Sequence, residues 1–154
     1  MEDFALTDAE RALLQALHER GVRFLIVGMG AALLEGAPVA TQDVDVWLES
    51  LDIARLSDAA RAAGGFWVGA FGMQPPAFGG DGLSRIDVVL TAHGLESFER
   101  EYARSAEYEV DGVPLRVLPL ERVLASKRSL GRAKDLAAVP VLEATLKARE
   151  QEYD

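Results

Sequence analysis

Asp43-Val44-Asp45 stands at the head of the apolar run Val44 to Leu48, and Ile86-Asp87-Val88 places a third acid inside a second apolar run. Side chains alternate faces along a strand, so Asp43 and Asp45 share one face while Val44 and Val46 share the other. Two residues apart, the carboxylates are roughly 6.6 Å apart at about 3.3 Å per residue. That separation lets them grip two cations about 3.5–4 Å apart, the arrangement used in two-metal phosphoryl transfer. Asp87, flanked by Ile86 and Val88-Val89, is expected to be buried, which is costly for a carboxylate without a partner. Three acids brought together repel one another unless cations sit between them. Oxygen-only ligands favour Mg²⁺ or Mn²⁺ over zinc. Asp43, Asp45 and Asp87 are therefore the candidate metal ligands, and the nearby turn Gly28-Met29-Gly30 points to phosphate handling.

The elements that must hold these residues are legible in the pattern. Thr7-Asp8-Ala9-Glu10 reads as a capping box opening a helix with Leu13, Leu14 and Leu17 on its apolar face. Phe24 to Val27 is a short apolar run and predicts a buried strand. Gly28-Met29-Gly30 turns the chain, and Ala31 to Glu35 starts a helix stopped by Gly36 and Pro38. Ser50 is expected to cap a helix whose Ile53, Leu56 and Ala60 face the core, ended by Gly64-Gly65. Phe66 to Val68 is a third strand. Gly69 to Gly82 holds five Gly and two Pro, a loop long enough to be functional or mobile.

Arg85 to Leu90 is the strand that carries Asp87, and Leu95, Phe98 and Tyr102 mark a further helix. Tyr108 to Val110 and Val113 to Leu118 flank Asp111-Gly112, a strong hairpin signal. Pro119 leads into a helix over Leu120 to Leu130. Gly131 interrupts it, and helices follow over Asp135 to Ala138 and from Val139 onward, with Pro140 near the second start. Trp47 and Trp67 read as core or sheet-face residues. His18 lies on a helix surface and His93 after a strand end, neither with a partner at ligand spacing. The order is that of an α+β (mixed α/β) fold in one domain.

Composition narrows the function. The net charge of −9 argues against general affinity for nucleic acid, whose phosphates it would repel. Charge is uneven: Leu115 to Arg149 carries eight basic residues against three acidic ones, so that segment is +5 and the remainder −14. An acidic centre with a basic segment elsewhere is what a metal ion plus a polyphosphate requires. No apolar run is long enough to span a membrane. The acidic start Met1-Glu2-Asp3 lacks the basic opening of a signal peptide, and no cysteine is present, so a cytoplasmic protein is expected. Gly28-x-Gly30 is not a full Gly-x-Gly-x-x-Gly, which disfavours a dinucleotide site.

Three stretches carry a resemblance: Phe24-Leu25-Ile26-Val27-Gly28-Met29-Gly30-Ala31, Thr41-Gln42-Asp43-Val44-Asp45-Val46, and Arg85-Ile86-Asp87-Val88-Val89. In that order they resemble the nucleotidyltransferase superfamily that includes DNA polymerase β. The similarity is to its small bacterial branch, which holds antibiotic nucleotidyltransferases and the nucleotidyltransferase-like halves of toxin–antitoxin systems. Its pattern is an apolar strand, Gly-Gly or Gly-Ser, a short helix, Asp-x-Asp or Asp-x-Glu, and a later third Asp. Lys127 to Leu136 resembles the late basic stretch of abortive-infection nucleotidyltransferases. The resemblance covers about residues 22 to 137. Met29 departs from it, standing where the family has Gly or Ser.

The resemblance implies one nucleotidyltransferase-like domain over residues 1–154: a core over about 22–118 with a small mixed sheet flanked by helices, then a C-terminal helical segment over about 119–152. It implies a Mg²⁺- or Mn²⁺-dependent transfer of a nucleoside monophosphate from a nucleoside triphosphate such as ATP to a hydroxyl on a small molecule, a protein or an RNA end. Asp43, Asp45 and Asp87 would be catalytic and hold the metal. Asp87, on the acceptor side, would take the hydroxyl proton. Gly28, Met29, Gly30, Lys127, Arg132 and Lys134 would hold the nucleotide, and Asp135 would position the bases by salt bridge. The acidic surface favours a cationic small molecule or a partner protein as acceptor. Two alternatives remain open: a non-catalytic nucleotidyltransferase-like binding module, possible as a toxin–antitoxin component, and a domain whose acids hold only a structural cation.

Overall fold

The structure, a computed structural model, describes residues 4–152; the acidic start Met1-Glu2-Asp3 lies outside the described residues. Helix α1 (Asp8–Glu19) opens on the expected capping box: Glu10 N donates to Thr7 Oγ1 at 3.0 Å and Thr7 N donates to Glu10 Oε1 at 2.8 Å. Strand β1 (Phe24–Val27) is buried along its whole length. Then follow α2 (Gly28–Leu34), β2 (Val44–Leu48), α3 (Ile53–Ala62), β3 (Phe66–Val68), β4 (Ala77–Gly79) and β5 (Ile86–Val89). The chain ends with α4 (Phe98–Ala103), β6 (Ala106–Val110), β7 (Val113–Val117), α5 (Leu120–Leu130) and α6 (Ala133–Glu152).

The expected α+β fold is the one observed. Five strands form a mixed sheet in the order β5-β2-β1-β7-β6, and β3 with β4 forms a separate two-stranded sheet. Strand β1 runs antiparallel to β2 and parallel to β7, while β2 runs parallel to β5. Asp111 and Gly112 take φ 51° and 82°, the pair of positive values that a tight two-residue hairpin between β6 and β7 needs. The core joins Leu13, Leu14 and Leu17 of α1 with Leu25, Ile26, Val44, Val46 and Leu115 of the sheet. Trp47 is buried and meets the Phe98 ring edge-on at 5.3 Å.

Several expectations are corrected. The cap of α3 is Asp52, whose carboxylate accepts from Arg55 N at 3.3 Å; Ser50 lies too far ahead of the first turn to reach it. With that start Leu56, Ala59 and Ala60 turn inward, and Ile53 is 62% exposed. The stretch 69–82 is not structureless: β4 lies within it and sets Phe78 against Trp67, ring centroids 4.9 Å apart. Residues 133–152 form one helix with the exposed Pro140 inside it, although proline removes an N–H and opposes the helix by about 3 kcal/mol. Anchoring on both sides explains its continuity, Asp135 before the proline and Leu142 after it being fully buried.

The turn after β1 is tighter than Gly28-Met29-Gly30 suggests. The helix begins at Gly28 itself, the one residue of the three with positive φ (66°). Met29 and Gly30 already belong to the first helical turn.

Candidate active site

Register brings two of the acids together. Along β2–β5, Asp45 is directly opposite Asp87, with Val44 opposite Ile86 and Val46 opposite Val88. Paired residues on adjacent strands are about 4.8 Å apart, so the two carboxylates are neighbours. On its other side Asp45 is paired with Val27. Asp43 is one residue short of β2, whose start is fixed by Val44 N donating to Arg85 O at 2.7 Å. Asp87 is exposed rather than buried, because β5 is an edge strand and the acid opens onto solvent.

All three acids line one cavity of about 420 Å³, together with Met29, Lys127, Arg132 and Lys134. A second cavity of about 220 Å³ adjoins it, sharing Asp45, Lys127 and Arg132. Its wall is mostly apolar, with Val27, Val89, Leu118 and Val123, and carries Gly28, His93 and Ser126. Gly30 lines neither cavity. It is a packing glycine, since a Cβ there would stand 3.2 Å from Phe4 Cε2. Gly28 is required twice over: its φ is positive, and a Cβ would collide with Asp45 Oδ2.

Burial is the main reason that the Asp45 carboxyl is pushed up to about 6, with the charge of Asp87 next and that of Asp43 adding less. Lys127 and Lys134 pull it the other way. Asp87 is also raised, by partial desolvation against the cavity wall although its side chain opens onto solvent, and then by Asp43. The nearby bases direct their ion pairs elsewhere. Lys127 Nζ reaches Asp135 Oδ1 at 3.3 Å, and Arg132 Nε reaches Asp135 Oδ2 at 2.6 Å. Arg132 N also donates to Asp135 Oδ2 at 3.3 Å. Asp135, fully buried, is held down at about 2, chiefly by Arg132 and then by Lys127. Gly131, in the left-handed conformation at φ 64°, caps α5 and turns the chain so that Arg132 and α6 come back over the cavity. Lys127 and Lys134 thus reach the same cavity across a break, not along one helix face.

A divalent cation fits the donor chemistry here. The acids offer oxygen alone, Asp87 and Asp43 raise the proton affinity of Asp45, and Asp43 and Asp87 are exposed and can reorient. Among the described residues no three His, Cys, Asp or Glu side chains are gathered into a ready metal cluster. The acids are spaced along a wall, not closed on a point.

Thr41 and Gln42 share the acidic cavity, and Thr91, His93 and Ser126 the adjoining one; pattern reading missed their place because nothing in their spacing marks it. It also missed that three acids, Glu10 of the capping box among them, are buried and tie the fold around the site through distant partners. Glu10 pairs with Arg85 at 2.6 Å, and Glu101 with Arg122 at 2.6 Å. Glu35 accepts from Leu120 N at 2.9 Å and from the Tyr108 hydroxyl.

No family profile matches this sequence. No curated protein matches it either. Solved structures do match. The crystal structure of ANT(2")-Ia in complex with adenylyl-2"-tobramycin aligns over 92% of this chain and 90% of its own, with a TM-score of 0.54 at 17% identity. An antigenic nucleotidyltransferase-like protein from Paracoccidioides brasiliensis aligns over 86% of this chain and 72% of its own, with a TM-score of 0.50 at 19% identity. The chain has the fold of a small nucleotidyltransferase. That nucleotidyltransferase fold is the one the ordered motifs imply. It accounts for the β2–β5 pairing that sets two acids side by side and for the helical segment that returns Lys127, Arg132 and Lys134 to them.

Proposed function

We propose that this chain is a metal-dependent nucleotidyltransferase, moving a nucleoside monophosphate from a nucleoside triphosphate to a hydroxyl. The observation that carries the reading is one cavity lined by Asp43, Asp45 and Asp87 on the sheet side and by Lys127, Arg132 and Lys134 on the helix side. Asp43, Asp45 and Asp87 would hold Mg²⁺ or Mn²⁺, which when bound supplies Lewis-acid polarisation of the α-phosphate and neutralises charge on the leaving group. The bases bind the β- and γ-phosphates as charge-assisted donors. Asp135 keeps Lys127 and Arg132 aimed at them. The acceptor oxygen bonds to the α-phosphorus, the bond from that phosphorus to the pyrophosphate oxygen breaks, and the hydroxyl proton passes to Asp87. Pyrophosphate leaves with its charge held by the bases.

ANT(2")-Ia, by the product in its complex, adenylylates the 2" position of tobramycin. The exposed acids Asp43 and Asp87 and the net charge of −9 suit a cationic acceptor of that kind, or a partner protein with a basic segment. Titration calorimetry with ATP and Mg²⁺ tests the reading. Wild-type chain should bind in a metal-dependent way, and the double variant Asp43→Ala/Asp45→Ala should not; equal binding by both would sink it.

A second reading rests on Met29. Its side chain lines the acidic cavity where the family has Gly or Ser, and its bulk occupies space near the phosphate site. The chain would then be a nucleotidyltransferase-like binding module, as in the halves of toxin–antitoxin systems. Metal-dependent transfer of label from α-labelled ATP to an acceptor in cell extract would exclude it.

A further inference from the structure

The smaller of the two adjoining cavities is an apolar slot beside the acids, sharing Asp45, Lys127 and Arg132 with the acidic cavity. Val27 is paired with Asp45 across β1–β2, and Val89 follows Asp87 by two residues on β5. Both valines therefore share the sheet face that carries these acids. Helix α5 adds the buried Val123 and the half-buried Ser126. The loop after β5 adds Ala92, with Thr91 and His93 at the exposed end. Gly94 brings that loop onto the helix. Its φ is 74°, and a Cβ there would collide with Ser129 Cβ, so loop and helix meet more closely than any other residue would allow.

On the nucleotidyltransferase reading, on which this rests, we propose that the slot holds the nucleobase of the donor triphosphate, with Ser126 and His93 meeting its polar edge. Three shared residues make it continuous with the acidic cavity, so a group seated in it can be joined to phosphates held there. Chemistry selects the occupant. Among the described residues Asp45 is the slot's only acid, so a cationic acceptor finds no second carboxylate. Its apolar wall gives a phosphate nothing for the water it would shed. At about 220 Å³ it falls below the ~300 Å³ at which sites for drug-sized ligands begin, too small for an oligosaccharide or a peptide loop. A heteroaromatic base is flat, apolar on both faces and polar only at its rim, where a hydroxyl or a neutral imidazole can donate or accept. The acceptor is thereby left the acidic cavity, on the side where Asp43 and Asp87 are open to solvent.

Titration of the full chain in Mg²⁺ with ATP and with inorganic tripolyphosphate tests this. ATP should bind about tenfold more tightly or better, which takes only roughly 60 Å² of ring surface buried at ~25 cal/mol per Å². Tripolyphosphate carries no less charge than ATP, so the difference belongs to the nucleoside. Ser126→Leu on the helix and, separately, Ala92→Leu on the loop fill the slot and should bring the two affinities together. Retained tripolyphosphate binding shows that each variant is folded. In the wild-type complex with ATP, adenine H2 and H8 should show NMR cross-relaxation with the methyls of Val89 and Val123. Equal affinity of the wild-type chain for the two ligands overturns the assignment. So does an ATP advantage that survives both substitutions, or a bound adenine with no cross-relaxation to these methyls. Each of those results leaves the nucleotidyltransferase reading standing. Binding of neither ligand sinks that reading itself, and the slot's assignment with it.

Discussion

Replacing Asp45 by Asn should make the metal-free protein more stable while abolishing its response to Mg²⁺. In the folded chain the Asp45 carboxyl is lifted from an ordinary 3.8 to about 6 by burial and by Asp87. At about 1.4 kcal/mol per pH unit, that is ~3 kcal/mol spent above pH 6 to keep Asp45 ionised. Water in the cavity screens part of it, so roughly 1.5–3 kcal/mol should be recovered by Asn, which has the same shape and no charge. For a chain of this length that raises Tm by about 3–12 °C at pH 8 in EDTA. The sign follows from the direction of the shift. Folding is penalised only where Asp45 must be charged, so the gain should shrink as pH falls through 6 and be gone near the unfolded value. Mg²⁺ should raise the Tm of wild-type chain in proportion to the logarithm of its concentration and leave the variant unmoved. An unchanged or lower Tm for Asp45→Asn at pH 8 in EDTA, or a gain as large at pH 4 as at pH 8, would refute the account of mutually repelling acids.

Gly28→Ala should cost about 1–2 kcal/mol from the left-handed backbone alone, and it should also displace the Asp45 carboxylate; urea unfolding and ATP titration read the two effects separately. Asp135→Asn should weaken ATP binding about tenfold, as Lys127 and Arg132 lose the carboxylate that aims them. Asp135 is held near 2, so the stability it adds is present above the ordinary carboxylate value and lost as pH falls towards 2. The variant's acid-unfolding curve should therefore lack that part of the wild-type decline.

The parts of the fold set by neighbours in the chain were legible from sequence. Thr7 and Glu10 are three residues apart, and Asp111-Gly112 adopts the only turn that suits it, so the first cap and the last hairpin were found. The DxD spacing set Asp43 and Asp45 two residues apart, and both line one cavity, although Asp43 lies one residue before the strand that its alternation was read from. What depends on distant segments was not legible. The exposure of Asp87 follows from β5 being an edge strand, which only the sheet order determines. Pro140 read as a break because its local cost is certain, while the burial of Asp135 and Leu142 that holds the helix together is tertiary. The two-residue offset between Ser50 and Asp52 has the same origin in reverse: both residues can cap, and packing of Leu56 and Ala60 chose between them.

The pairing of Asp45 with Asp87 joins residues 42 positions apart, and the cavity adds Lys127 from a further 40 along. Parallel strands joined by so long a crossover close slowly, because the loop entropy must be spent before the contacts return anything. The acids therefore meet late in folding, after the local β6–β7 hairpin and the first helix can already have formed. If the proposed function holds, nucleotide binding would be a kinetic marker for completion of the sheet: a chain still collapsing, or one nicked in the crossover, would hold every residue of the proposed site and no site.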